Sequence, residues 1–329
     1  MRRYGLAWGT CFGAAAAVAS LGLASACGSR TGLPFEEATA VTTDSGDGAT
    51  KRDVTPDRRP DVLPLIDATP LPDVVRNDCP DAAATLIYVV TTQYDLYSFE
   101  PTAGSFKRIG NITCPAPSGA TPFSMAVDRR GVAYVVFQNS AGPNGPSLPG
   151  NGMLFRVSTS TAACIGTSYV PGQQGIATFG MGFASNTNGP DETLFIASDD
   201  GQPRLGAIDV QNFTLGIIGP FNPPITRAEL TGTGDGRLFA FYAKSATSSA
   251  IAQIDKQTGQ VTAESPLATV SQGTHWAFGF WGGDFYTFTG PQGGTTVTRF
   301  RPSDNSVADI AQLNQEIVGA GVSTCAPEK

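Results

Sequence analysis

From Leu86 onward the chain alternates short apolar runs with polar turns. Leu86-Ile87-Tyr88-Val89-Val90, Ala133-Tyr134-Val135-Val136, Leu194-Phe195-Ile196-Ala197 and Leu238-Phe239-Ala240-Phe241 are each followed by residues rich in Gly, Asn, Asp, Ser or Thr. No long stretch keeps a 3.6-residue apolar period, so the pattern predicts short β-strands rather than helices. Five further segments share the form apolar, any residue, apolar, polar turn. They are centred on Phe99, Val157, Ile208, Ile254 and Phe300, spaced 58, 51, 46 and 46 residues apart. The longest interval contains the Pro/Gly-rich insertion Ala141 to Gly150, which accounts for its excess.

A third recurring strand precedes these pairs: Phe123 to Val127, Phe179 to Phe183, Leu230 to Thr233 and Phe278 to Phe280. Each carries a small residue, respectively Ala126, Gly182, Gly232 and Gly279. Small side chains suit strands whose backbones converge on a common axis. A fourth strand follows the turn, as in Leu215-Gly216-Ile217-Ile218. Four strands in a unit of about 45 residues, repeated, predict an all-β chain folded as a β-propeller. Five four-stranded blades are expected, or six if the insertion holds further strands. The first unit lacks its inner strand, and Ile317 to Val322, with Gly321 at the small position, has the missing form. The C-terminal strand is therefore expected to close the ring by joining the first blade, leaving no long open edge.

The N-terminal region reads differently. Arg2 and Arg3 precede an apolar run from Tyr4 to Ala26, which ends on Leu23-Ala24-Ser25-Ala26-Cys27. A basic start, an apolar stretch and small residues before a cut site predict a secretory signal over 1–26. An uncleaved membrane-spanning helix is the rival, but the run is rich in Ala and Gly and no basic cluster follows it closely. The ending resembles the lipobox of bacterial lipoproteins, whose cysteine is lipidated; that resemblance implies that Cys27 carries several palmitate-class acyl chains and anchors the chain durably. Ala24 stands where a lipobox more often has Leu. From Gly28 to Asn77 there is almost no aromatic residue, and acids alternate with prolines (Asp57, Pro60, Asp61, Pro64, Asp67, Pro70, Pro72, Asp73). Such a stretch buries too little apolar surface to offset its ordering entropy and predicts an extended tether over 27–78. The propeller is placed at 79–329.

The chain of 329 residues holds 21 Lys and Arg against 28 Asp and Glu. Removing 1–26 takes away two arginines and leaves a balance of −9, so nucleic acid is excluded as a partner by repulsion of its phosphates. Cys11 lies in the signal, and Cys79, Cys114, Cys164 and Cys325 form an even set in an oxidising compartment. Four cysteines allow three pairings. The order of the repeats favours Cys79 with Cys325, as a lock on the ring, and Cys114 with Cys164. None has the spacing of a zinc or thioredoxin-type motif.

The pattern fullest at Ile251-Ala252-Gln253-Ile254-Asp255-Lys256-Gln257-Thr258-Gly259 resembles the blades of YVTN, quinoprotein-like and NHL-type propellers. Thr121 to Asp128, Glu229 to Leu238, Trp276 to Asp284 and Val318 to Cys325 are similar to stretches of a group of myxobacterial lipoproteins. That likeness spans Cys79 to the C-terminus and implies location and fold without a reaction.

Candidate chemistry is sparse. His275 is the only histidine, and neither a GxSxG nor a phosphate-loop motif occurs. No cofactor, metal or catalytic residue is expected. Asp128, Asp209, Asp235 and Asp255 sit at turns, where their side chains bond nearby amides. The candidate ligand site is the axial end of the inner strands, near Arg227, Glu229, His275 and Trp276. Glu229 beside Arg227 reads as a paired structural charge, and His275 as a satisfied structural histidine. The favoured role is a monomeric, lipid-anchored binding or scaffolding module for an envelope protein, peptide or glycan. A hydrolase or lyase using the same mouth is the alternative. Gly28 after the lipid cysteine lacks the Asp that marks inner-membrane retention, which points to the outer membrane.

Overall fold

The computed structural model describes residue 79 and residues 86–141, 147–186, 191–291 and 293–329. The expected signal over 1–26, Cys27 and the expected tether over 27–78 lie outside the described residues. Among those described, strands build five antiparallel four-stranded sheets. Blade 1 holds β1 (Ile87–Thr91), β2 (Asp95–Glu100) and β3 (Ser105–Asn111). Blade 2 holds β4 (Thr121–Val127), β5 (Val132–Gln138), β6 (Leu154–Ser158) and β7 (Cys164–Gly166). Blade 3 holds β8 (Phe179–Ser185), β9 (Glu192–Ser198), β10 (Arg204–Asp209) and β11 (Thr214–Pro220). Blade 4 holds β12 (Glu229–Gly232), β13 (Leu238–Ala243), β14 (Ser249–Ile254) and β15 (Val261–Leu267). Blade 5 holds β16 (His275–Trp281), β17 (Asp284–Gly290), β18 (Thr295–Arg301) and β19 (Ser306–Leu313). The last strand, β20 (Ile317–Val322), pairs antiparallel with β1 and completes blade 1.

The inner strands β20, β4, β8, β12 and β16 touch in that cyclic order, so the sheets form a closed ring, a five-bladed β-propeller. The small residues have the reason the sequence suggested. A Cβ on Gly182 would lie 2.6 Å from the Leu230 carbonyl oxygen, and one on Gly321 would lie 2.7 Å from the Val127 nitrogen. Converging backbones leave no volume for a side chain there.

Each seam between blades is an apolar core. Blades 2 and 3 bury Tyr134, Phe183, Leu194, Ile208, Phe213 and Leu215 between them. Blades 4 and 5 bury Phe239, Phe241, Phe278, Phe280, Phe285 and Phe300. Two disulfides tie the ring. Cys79 bonds Cys325, with 5.7 Å between Cα atoms, and Cys114 bonds Cys164 across blades 1 and 2, with 4.9 Å. The first closes a loop spanning 246 positions, which in the chain-entropy view contributes about 4–5 kcal/mol.

The turns joining third to fourth strands repeat one geometry. Gly104, Ala162, Phe213, Gly259 and Asn305 each stand five residues after the central apolar residue of the third strand, with φ between 57° and 78°. In three of them an amide closes on the carbonyl four residues back: Ala162 to Ser158, Phe213 to Asp209 and Gly259 to Asp255.

Candidate functional site

The ring has two faces. The inner strands begin at one, where Glu229 and His275 stand, and end at the other, near Val127, Ser185 and Val322. At the first face, Glu229 opens β12 but points inward and is only 3% exposed. Its Oε2 accepts a hydrogen bond from Ser124 Oγ at 2.7 Å, and Ser124 Oγ accepts one from the Met181 amide at 3.2 Å. Ser124 lies on β4, two blades away around the ring, so this carboxyl reaches across the axis past β8. Burial pushes its pKa well above the usual carboxylate range; the Ser124 and Met181 bonds oppose that, and the Asp199 charge adds to it. The Glu229 carboxyl is thus sealed among the inner strands and bonded to Ser124.

Arg227 does not pair with Glu229. It is exposed, in a left-handed conformation at φ 54°, and its guanidinium lies 4.0 Å from the centre of the Trp276 ring. Such a stack at an open site contributes about 0.5–1 kcal/mol. Its positive charge also reaches Asp199, whose pKa is raised by burial and drawn back by Arg227. Beneath it, Gln272 is buried and donates through Nε2 to the Arg227 carbonyl at 3.0 Å, while its Oε1 is buried without a partner. The Trp276 Nε1 is likewise buried and unpartnered.

His275 opens β16 and is 4% exposed. Its Nε2 lies 3.2 Å from Thr295 Oγ1, whose own hydrogen goes to the Gln315 carbonyl at 2.7 Å. The imidazole therefore donates through Nε2, and burial lowers its pKa. This matches a satisfied structural histidine, spent on holding blade 5 to the start of β20. The fold thus brings Arg227 and Trp276 together at the surface and separates Glu229 and His275 into interior contacts.

Another carboxyl, half-buried, lies towards the other face and was not singled out in the sequence. Glu192, at the start of β9, accepts from the Arg129 amide at 2.7 Å and from Thr324 Oγ1 at 2.8 Å. Burial raises its pKa to about 7; the two hydrogen bonds oppose that rise, and Asp128 reinforces it. It ties blades 2 and 3 to the segment that carries Cys325. Asp128 itself accepts amide bonds from Arg130 and Val132, the turn role its position suggested. Among the described residues no group of three or more His, Cys, Asp or Glu side chains is placed to hold a metal ion.

No protein-family model and no curated protein match this chain. Solved structures do. A chain in the crystal structure of a nidogen/laminin complex aligns over 72% of this chain and 97% of its own length, with 11% identity and a TM-score of 0.47. TolB from Acinetobacter baumannii aligns over 68% of this chain and 52% of its own, with 13% identity and a TM-score of 0.38. A luciferin-regenerating enzyme aligns over 73% and 77%, with 16% identity and a TM-score of 0.39. The architecture itself rests on this chain's own strand order.

Proposed function

We propose that this chain is a lipid-anchored propeller of the bacterial envelope, held at the outer membrane through Cys27, that works as a non-catalytic binding or scaffolding module. Its partner is an envelope protein, peptide or glycan engaged at the face where the inner strands begin. The observation that carries the reading is the contrast at that face. The groups suited to proton transfer, Glu229 and His275, are sealed and engaged in structural bonds, whereas Arg227 on Trp276 is a stacked recognition pair open to solvent. A hydrolase or lyase would need Glu229 or His275 to reach a substrate. The anchoring geometry agrees. Cys79, where the tether would join the propeller, is bonded to Cys325 just beyond the end of β20, at the opposite face from Arg227. The disulfides suit an extracytoplasmic compartment.

The test is site-directed crosslinking in envelopes from a residue beside Trp276. The reading expects a partner adduct that Arg227→Ala or Trp276→Ala weakens and Glu229→Gln leaves intact. A turnover abolished by Glu229→Gln in a folded protein would replace this reading with the enzymatic one. Anchoring is checked separately, since Cys27→Ala should release the chain from the membrane fraction.

A further inference from the structure

Above the buried rings of the seam between blades 4 and 5, at the face where the inner strands end, the surface is hollowed. A cleft of about 320 Å³ opens there, walled by Phe239, Phe280 and Phe285, with Ile251 and Ala263 along blade 4 and the Pro302 turn opposite. The rings are already ordered. Phe239 and Phe285 meet edge to face at 4.8 Å, and the Arg237 guanidinium lies 5.5 Å from the Phe239 ring.

The seam between blades 2 and 3 shows what such a groove accommodates. Strand register makes the two seams comparable position by position. Phe183 pairs with Leu194, and Leu194 with Ile208, as Phe280 pairs with Phe285 and Phe285 with Phe300. Tyr134 faces Phe183 as Phe239 faces Phe280. Beyond that point they diverge. In blade 3 the left-handed turn residue is Phe213, 8% exposed and buried in the seam with Leu215 at 4%. In blade 5 the same turn position is Asn305, which is exposed, and the counterpart of Leu215 is Val307, 40% exposed. A plug of one aromatic ring is present in one seam and missing from the other.

We propose that the cleft between blades 4 and 5 is a docking site for an aromatic side chain of a partner peptide that carries a basic residue next to it. The ring enters beside Phe280 and Phe285, which hold the register positions of Phe183 and Leu194 in the other seam. The basic neighbour follows from the charges. Arg237 is engaged by Asp235, and Glu264 by Lys244 and Tyr242, so Glu328 is the lining charge that stands outside any ion pair among the described residues. The net negative charge of the chain also favours a basic partner. This site lies at the opposite face from Arg227 and Trp276 and stands independently of the role proposed there.

The experiment uses the mature chain with its methyl groups observed by NMR and three blocked dipeptides as probes. N-acetyl-Phe-Lys-amide is expected to shift the methyls of Ala263 and Ile251 saturably. N-acetyl-Ala-Lys-amide should bind about thirtyfold or more weaker, the loss expected for an apolar ring left in water. N-acetyl-Phe-Glu-amide should bind a few-fold weaker than the lysine probe, by about the margin of an exposed ion pair. Ala263→Phe, at an exposed strand position, should abolish the response while the thermal midpoint stays at the wild-type value. Equal titration by the alanine and phenylalanine probes, no saturable shift at these methyls, or an unchanged response in a folded Ala263→Phe protein would overturn the proposal. Loss of the crosslink at Trp276 would leave it standing, so the two readings fail separately.

Discussion

The seam between blades 2 and 3 and the seam between blades 4 and 5 are built on one register and finished in different ways. The first is completed by its own turn, which forces a phenylalanine into a left-handed conformation so that its ring can enter the core. Left-handed backbone is uncommon for a bulky residue and costs on the order of 1 kcal/mol or more, so ring burial must outweigh it. The second places the conformation's natural occupant, asparagine, at that turn and leaves aromatic walls facing a cleft. One seam spends backbone strain to be closed, and the other avoids the strain and stays open.

The largest expected effect comes from Phe213→Ala, which should unplug the closed seam. Loss of a buried aromatic ring costs about 3–5 kcal/mol, partly relieved here by the turn, so a net loss near 3 kcal/mol is expected. At about 2–4 °C per kcal/mol for a domain of this size, the thermal midpoint should fall by roughly 6–12 °C. The matched Asn305→Ala change should stay within about 1 kcal/mol, since it removes no packed group. Equal losses would erase the distinction between the seams.

The next effect is pH dependence, and the two seams should carry opposite signs. Glu192, which ties blades 2 and 3, has a folded pKa raised to about 7 from 4.5. The native state therefore holds the proton more tightly than the unfolded chain. The stability gained is fully present below about pH 4.5 and is lost as pH rises through 7, by up to about 3 kcal/mol. Glu229 contributes with the same sign, its folded pKa also being raised by burial. Glu192→Gln should flatten the decline of the thermal midpoint between pH 5 and 8. Glu264, on blade 4, is held below its usual range chiefly by the Tyr242 hydroxyl, with Lys244 assisting. Its contribution is present above the unfolded pKa and disappears as pH falls through the lowered one. Removing it should make the protein less sensitive to acid, the reverse of the Glu192 variant.

A smaller contrast separates two equivalent phenylalanines. Phe183→Ala leaves a sealed void in a filled seam, whereas Phe280→Ala only enlarges a cleft already open. Denaturant unfolding should show the first to cost more, by about 1 kcal/mol, because the void term is larger where the site cannot relax or admit water.

Much of this architecture was legible before any coordinates. The spacing of Phe99, Val157, Ile208, Ile254 and Phe300 marks the third strand of every blade, because each blade needs one inward apolar pair there. Gly321 announced the closing strand, since only a strand against the axis has to lose its side chain, and the pairing of Cys79 with Cys325 follows from that closure. Among the described residues the strands make five blades and no sixth. The candidate site was less legible. Glu229 and Arg227 are neighbours in sequence, yet their partners, Ser124 and Trp276, come from other blades. Which inner strand faces which across the axis is set by ring geometry, and no local pattern encodes it. Glu192 gave no signal for the same reason, as its partners Arg129 and Thr324 are brought together only when the ring closes. Phe213 did carry a readable cue. Aligned on the repeated turn, it stands where Gly104, Ala162, Gly259 and Asn305 stand, and a bulky residue in a place suited to glycine or asparagine marks a turn with a second task.

The most direct measurement is the thermal midpoint of Asn305→Phe. A ring introduced at that turn should cover the cleft over the seam, offset the cost of the left-handed backbone, and raise the midpoint by a few degrees, on the order of 1 kcal/mol. If the seam between blades 4 and 5 is already filled, the ring has nowhere to go, only the strain remains, and the midpoint falls.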